Sequence, residues 1–240
     1  MTDRGRDALS LSRDALEVGP SRVEWTPDGL DIHIDEVSVP HCQRIRGTVR
    51  LRPSALTSIE VPLKPDGTHV WRPFAPTAEI EVDLNRGGWQ WRGHGYFDAN
   101  FGTRALEQDF SYWTWARLPR NGGTTAFYDA TRRDGPPLDV ALDFGADGSV
   151  GEIEAPPMTR LPRSLWAVRR DIRADAGTRP RQVRPMLDAP FYTRAAVETV
   201  IGGETCHGVH EALDLDRFAS SLLKPMLAVK VPRRAGWPRG

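Results

Sequence analysis

Cysteine is scarce in this chain. Among 240 residues there are two, Cys42 and Cys206, with no CxxC spacing, which argues against a disulfide framework and for a reducing compartment. No stretch approaches the about 18 consecutive apolar residues of a membrane-spanning helix. The opening residues Met1-Thr2-Asp3-Arg4-Gly5-Arg6-Asp7 lack the apolar core of a secretory signal. These absences predict a cytoplasmic protein. Net charge is missing too: 32 basic residues balance 32 acidic ones, so nothing draws the chain as a whole toward nucleic acid. Arg86 and Arg92 flank Trp89 and Trp91, but without a clustered basic face they do not make nucleic acid an expected partner.

Several chemistries are excluded in the same way. There is no Walker loop, no complete GxGxxG and no GxSxG nucleophile elbow. His207-Gly208-Val209-His210-Glu211 resembles a metal box only loosely, because on a strand its two histidines face opposite sides and no third ligand is evident. No metal is expected; His210 and Glu211 instead read as part of a strand end or as support for the pocket.

What the chain does have is turn formers and rings: 22 Gly, 20 Pro and 8 Trp, the composition of a turn-rich β protein with an aromatic interior. Residues 30–39 begin by alternating apolar and polar side chains, and 44–51 are expected to pair with them across a turn at Pro40-His41-Cys42-Gln43. Alternation returns at Ile80, Val82 and Leu84 before a turn at Asn85-Arg86-Gly87-Gly88. Further strands are expected at 111–118, 124–131, 138–144, 150–154, 165–173 and 195–201, broken at Asn121-Gly122-Gly123, Gly145-Ala146-Asp147-Gly148 and Gly202-Gly203. Residues 6–18 instead suggest a helix, since Ala8, Leu9, Ala15 and Leu16 recur at near-helical intervals. The expected fold class is all-β, an antiparallel barrel or paired barrel-like sheets with few helices. An N-terminal half spans 1–118 and a C-terminal half 119–240. From Leu213 onward apolar and basic residues mix, as in Met226-Leu227-Ala228-Val229 beside Lys224, Lys230, Arg233 and Arg234. This tail is either a membrane-surface contact or a final core strand with a solvated basic end.

Two tripeptides carry the chemistry. On strands, residues two apart share a face, so His69 lies with Trp71 and Tyr96 with Asp98. A carboxyl among aromatic rings is desolvated and keeps its proton nearer neutrality, which suits a general acid. Rings beside it can stabilise a cation. The bland readings are a turn carboxylate for Asp98, a polar loop histidine for His69 and a satisfied core tyrosine for Tyr96. Trp113 and Trp115 also share a face, as core packing or as the lining of an apolar substrate tunnel. Glu107 and Asp109 follow Gly102-Thr103-Arg104 in an expected loop and read as solvated carboxylates, with a place only as reserve candidates for the site.

The run Gly95-Tyr96-Phe97-Asp98-Ala99-Asn100-Phe101-Gly102, followed by Leu106-Glu107, Phe110 and Trp113-Thr114-Trp115-Ala116-Arg117, resembles the carotenoid 1,2-hydratase family, also called hydroxyneurosporene synthase. Upstream, Ile34-Asp35-Glu36-Val37, Arg46-Gly47-Thr48-Val49-Arg50 and the segment from His69 to Leu84 are similar to that family. So are Gly208-Val209-His210-Glu211 through Phe218, and the Met226-to-Arg233 region. The resemblance implies a lipocalin-like double β domain, and it carries the family's His-x-Trp and Tyr-x-Asp pairs onto His69, Trp71, Tyr96 and Asp98. Family members begin with additional sequence before the part that resembles Met1-Thr2-Asp3-Arg4-Gly5-Arg6, which implies a shortened chain.

The implied reaction is cofactor-independent addition of water to the terminal C1=C2 bond of an acyclic carotene, such as neurosporene, lycopene or a hydroxylated derivative. Asp98 would protonate C2, Trp71 and Tyr96 would stabilise the cation at C1, and His69 would orient or deprotonate water. Tyr96 would also hold Asp98 in place, and Trp113 and Trp115 would line the substrate's path. The substrate resides in membranes, so a peripheral contact with the cytoplasmic membrane is expected. Two other readings suit the same residues: a non-catalytic lipocalin-like carrier, and a cation-based isomerase or cyclase.

Overall fold

Alternating burial along the chain turns into antiparallel sheet almost throughout. The computed structural model describes residues 4–38 and 42–223. In chain order the strands begin with β1 (Leu9–Leu11), β2 (Ala15–Val18), β3 (Ser21–Thr26), β4 (Gly29–Val37) and β5 (Arg44–Pro53). Short β6 (Val61–Pro62) precedes two long strands, β7 (His69–Leu84) and β8 (Gln90–Gly102). One helical turn, α1 (Leu106–Asp109), leads into β9 (Phe110–Arg120), β10 (Gly123–Arg132), β11 (Leu138–Gly145) and β12 (Val150–Glu152). The rest are β13 (Met158–Arg160), β14 (Asp171–Arg173), β15 (Arg181–Asp188), β16 (Tyr192–Ile201), β17 (Glu204–Asp214) and a last turn, α2 (Leu215–Phe218). The all-β expectation holds.

The chain forms two compact units interleaved in sequence. Among the described residues, one contains the chain up to Ser54 and Ala78–Tyr96; the other contains Ala55–Thr77 and the chain from Phe97 onward. In the first unit, β1 to β5 pair in order and β5 pairs with the C-terminal part of β7, Gly47 opposite Leu84 and Leu51 opposite Ile80. Gly47 has a φ of 149°, and a side chain there would run into the Asp83 carbonyl on β7. Only glycine lets the two strands close at that point.

The helix expected over 6–18 is corrected: a 3-10 turn at Arg6–Ala8 leads into the β1–β2 hairpin, Leu9 opposite Val18 and Leu11 opposite Leu16. A period of two at these four residues, backed by ladder bonds to β3, overrides a weak helical pattern.

The second unit is organised on a seven-stranded sheet in the order β12-β11-β10-β9-β17-β16-β15. Its hydrogen bonding runs from one edge to the other and does not close into a ring among the described residues. The glycine turns lie where expected. Gly202 and Gly203 join β16 to β17 with φ of 59° and 77°, and Ile201 pairs directly with Glu204. A two-residue loop with both φ positive is the turn whose twist matches the flanking strands. One face of this sheet carries Ala116, Leu118, Phe127, Ala141, Ala195 and Val197, packed with Leu161 and Ile172 from around the β13–β14 hairpin. The strand expected over 165–173 shrinks to Asp171–Arg173, because Ala167 takes a φ of 58° and Leu165 is 92% exposed. The opposite face of the sheet carries the candidate site.

Candidate active site

β7 starts at His69, and its burial alternates from the first residue, so His69, Trp71, Pro73 and Ala75 all turn inward. Val61 on β6 pairs with Trp71, closing the strand's outer side. Trp71 has no exposed surface. Its indole Nε1 donates to Oδ2 of Asp98 on β8 at 2.8 Å, a buried donor satisfied by a half-buried carboxylate oxygen. The ring packs at 5.6 Å on Tyr128 and edge-on at 6.4 Å to Phe144, while Tyr128 sits 5.8 Å from Trp113.

Register explains why these rings meet. Trp115 lies opposite Tyr128 on β10 and opposite Glu211 on β17, and Trp113 lies opposite Leu213. Directly opposed residues point to the same side of a sheet, so Trp113, Trp115, Tyr128 and Glu211 form one face. Glu211 is expected from the sequence only at a strand end or in support of the pocket, not in the catalytic set. Its side chain is 17% exposed and 3.3 Å from Nε of Arg194, and the Tyr192 side chain lies near enough to favour its charged form. Burial pushes the Glu211 carboxyl up from its ordinary range and the Asp98 charge adds to this, against the neighbouring Tyr192 and Arg194. Tyr128 is raised as well, by burial first and then by the charges of Asp98 and Glu211. The two carboxyls therefore stand within each other's field.

His69 belongs to a neighbouring cluster. Its Nε2 is 2.8 Å from Oδ2 of Asp109, whose Oδ1 accepts from Lys64 Nζ and from Arg104, each at 2.8 Å. Lys64 also reaches Asp134 at 3.1 Å. Asp109 is only 4% exposed, which corrects its reading as a solvated loop carboxylate: α1 turns it inward. Burial alone would raise this carboxyl, but hydrogen bonds from Lys64 and His69, with the charges of Arg104 and Lys64, hold it below the usual carboxylate range. Phe110 meets the His69 ring edge-on at 5.4 Å. Gly102 closes the other side, where a Cβ would lie 2.5 Å from His69 Nδ1 and 2.8 Å from the Thr68 carbonyl.

Of the four residues in the two tripeptides, Trp71 and Asp98 are bonded to each other, and His69 is bonded to Asp109. Tyr96 is half-buried on β8, two residues before Asp98, and falls in the first compact unit. Among the described residues no group of three or more side chains could hold a metal ion. His210 is buried with Nε2 at 2.8 Å from the Asp171 carbonyl, while His207 is exposed.

A family model described as carotenoid hydratase CrtC matches residues 1–239. The chain belongs to the carotenoid hydratase family. Within that family it is similar to the acyclic carotenoid 1,2-hydratase of Cereibacter sphaeroides, 58% identical over 99% of this chain and 85% of that protein. The corresponding protein of Rhodobacter capsulatus is 55% identical over the same shares. Among solved structures, the crystal structure of CghA with Sch210972 is similar at 13% identity and a TM-score of 0.49, covering 82% of this chain and 68% of that one.

Proposed function

We propose that this member of the carotenoid hydratase family is a hydro-lyase that adds water to the terminal C1=C2 bond of an acyclic carotene, with Asp98 as the acid. Its close relatives are named for hydration of acyclic carotenoids, and the observation that carries the residue assignment is the Trp71–Asp98 hydrogen bond beneath an aromatic face. An acid must give up its proton to carbon here, and an indole N–H aimed at the carboxyl favours the anion that remains. Protonation at C2 leaves a tertiary cation at C1. The half-buried Trp113, with Tyr128 and Trp115 beside it, offers ring faces to that cation, worth about 2 kcal/mol when desolvated. In this reading Trp71 positions Asp98, and His69, fixed by Asp109, holds the start of β7.

No helix among the described residues is long and apolar enough to cross a membrane. We assign the protein a peripheral contact with the cytoplasmic membrane, where its substrate resides, through the tail. Most of that tail, from residue 224, lies outside the described residues.

Purified protein with detergent-dispersed lycopene or neurosporene in ¹⁸O-water tests the assignment. A labelled tertiary alcohol made by the wild type and not by Asp98→Asn is the expected result. Carotene bound and returned unchanged by both would mean a carrier, and a product of unaltered mass would mean an isomerase or cyclase.

A further inference from the structure

Hydration releases a proton as well as consuming one, and the proposed acid accounts only for the first transfer. His69 is poorly placed to receive the second, walled by Gly102 and Phe110 with Nε2 already engaged by Asp109. We propose that Glu211 is the second carboxyl of this site and the base that takes the proton lost by the added water. This inference rests on the hydration reading above.

The geometry supports that role in three ways. Glu211 lies on the same face as Trp113, Trp115 and Tyr128, next to Trp115 across the β9–β17 ladder, so it stands beside the rings offered to the cation. Arg194 stands 3.3 Å away and the Tyr192 side chain lies near it, both favouring its charged form. A donor and a cation beside one carboxylate work against the rise that burial imposes, and the cation helps to fix its orientation. Finally, the Asp98 charge adds to the rise of the Glu211 carboxyl, so the two carboxyls are close enough for a charge on one to oppose a charge on the other. One carboxyl neutral and one charged is the starting state that acid-first hydration requires.

The step balances. The π pair of C1=C2 forms the C2–H bond with the Asp98 proton and leaves C1 cationic. A lone pair of water forms the C1–O bond, one O–H bond breaks with its electrons staying on oxygen, and the proton passes to Glu211. Asp98 ends as the anion and Glu211 as the acid, and exchange with solvent resets both.

The test separates cation formation from capture by running the reaction in D2O. A cation that is not captured loses a proton back to Asp98 and returns as deuterium-bearing carotene. In Glu211→Gln, of the same shape, alcohol formation should fall at least about 100-fold while deuterium continues to enter recovered carotene. Tyr192→Phe, which leaves Glu211 in place, should raise the ratio of labelled carotene to alcohol without abolishing either. Near-UV circular dichroism checks that each variant is folded. Wild-type alcohol yield in Glu211→Gln would overturn the proposal, with Asp98 then serving both transfers. So would joint loss of alcohol and label in a folded protein, or an unchanged ratio in Tyr192→Phe. Absence of alcohol from the wild type would instead sink the hydration reading, and this base with it.

Discussion

Trp71 Nε1 donates to Asp98 Oδ2 at 2.8 Å, joining the first inward positions of β7 to the middle of β8. The indole has no exposed surface and rests on Tyr128 and Phe144, so its N–H is aimed by packing rather than by a flexible side chain. An acid oriented in this way does not have to find its rotamer at each turnover.

Trp71→Phe keeps most of the packing and deletes the donor. A hydrogen bond to a charged group contributes about 1.5–3 kcal/mol, which corresponds to a kcat lower by roughly tenfold to a hundredfold. KM for the carotene should change little, since the indole does not offer its face to solvent. Steady-state kinetics on neurosporene would check the split, and a rise in KM with kcat intact would place Trp71 against the substrate instead.

Gly102→Ala tests the enclosure of His69. A methyl group there meets His69 Nδ1 at 2.5 Å and the Thr68 carbonyl at 2.8 Å, and a backbone oxygen cannot swing aside. We expect a lower melting temperature together with reduced hydration. Gly151→Ala, where an added Cβ meets nothing within 4 Å, should leave both unchanged and serves as the control.

The pairing of Trp71 with Asp98 was half legible in the sequence. Alternation within β7 and β8 put each residue on a face with a partner, and the glycine turns at 122, 202 and 203 marked the hairpins. Asp109 and Glu211 were legible only as a reserve candidate and a pocket support, because their partners are brought by register across distant parts of the chain. Asp109 meets Lys64 and His69 only after the chain has reversed through β7 and β8. Glu211 acquires Trp115 and Arg194 from the strands on either side of β17. A polar residue beside His210 carries no local mark of that placement; the useful signal was the period of two that makes 207–211 a strand and puts Glu211 on the face opposite His210.

Asp109 should make the fold acid-sensitive. Its carboxyl is held below the ordinary value of 3.8, so the folded state prefers the anion. That preference stabilises the fold above the unfolded value, and it is lost as pH falls through the lower folded one. Asp109→Asn should remove this acid limb and also lower stability at neutral pH, since Lys64 and His69 lose a charged acceptor. Urea midpoints measured from pH 5 downward would show it, and an identical acid limb in the variant would assign it to other carboxyls.

His210 produces a separate window at higher pH. Burial lowers its imidazole from about 6.5 to about 4, against the hydrogen bond to the Asp171 carbonyl and helped by Arg170. Between those values the unfolded chain binds a proton that the folded one refuses, so stability falls as pH drops from about 6.5 to about 4, by about 3 kcal/mol in all. His210→Gln, which cannot ionise, should flatten the urea midpoint across that interval, whereas the Asp109→Asn variant should keep it. The same slope in His210→Gln as in the wild type would show that the imidazole is not the group being titrated.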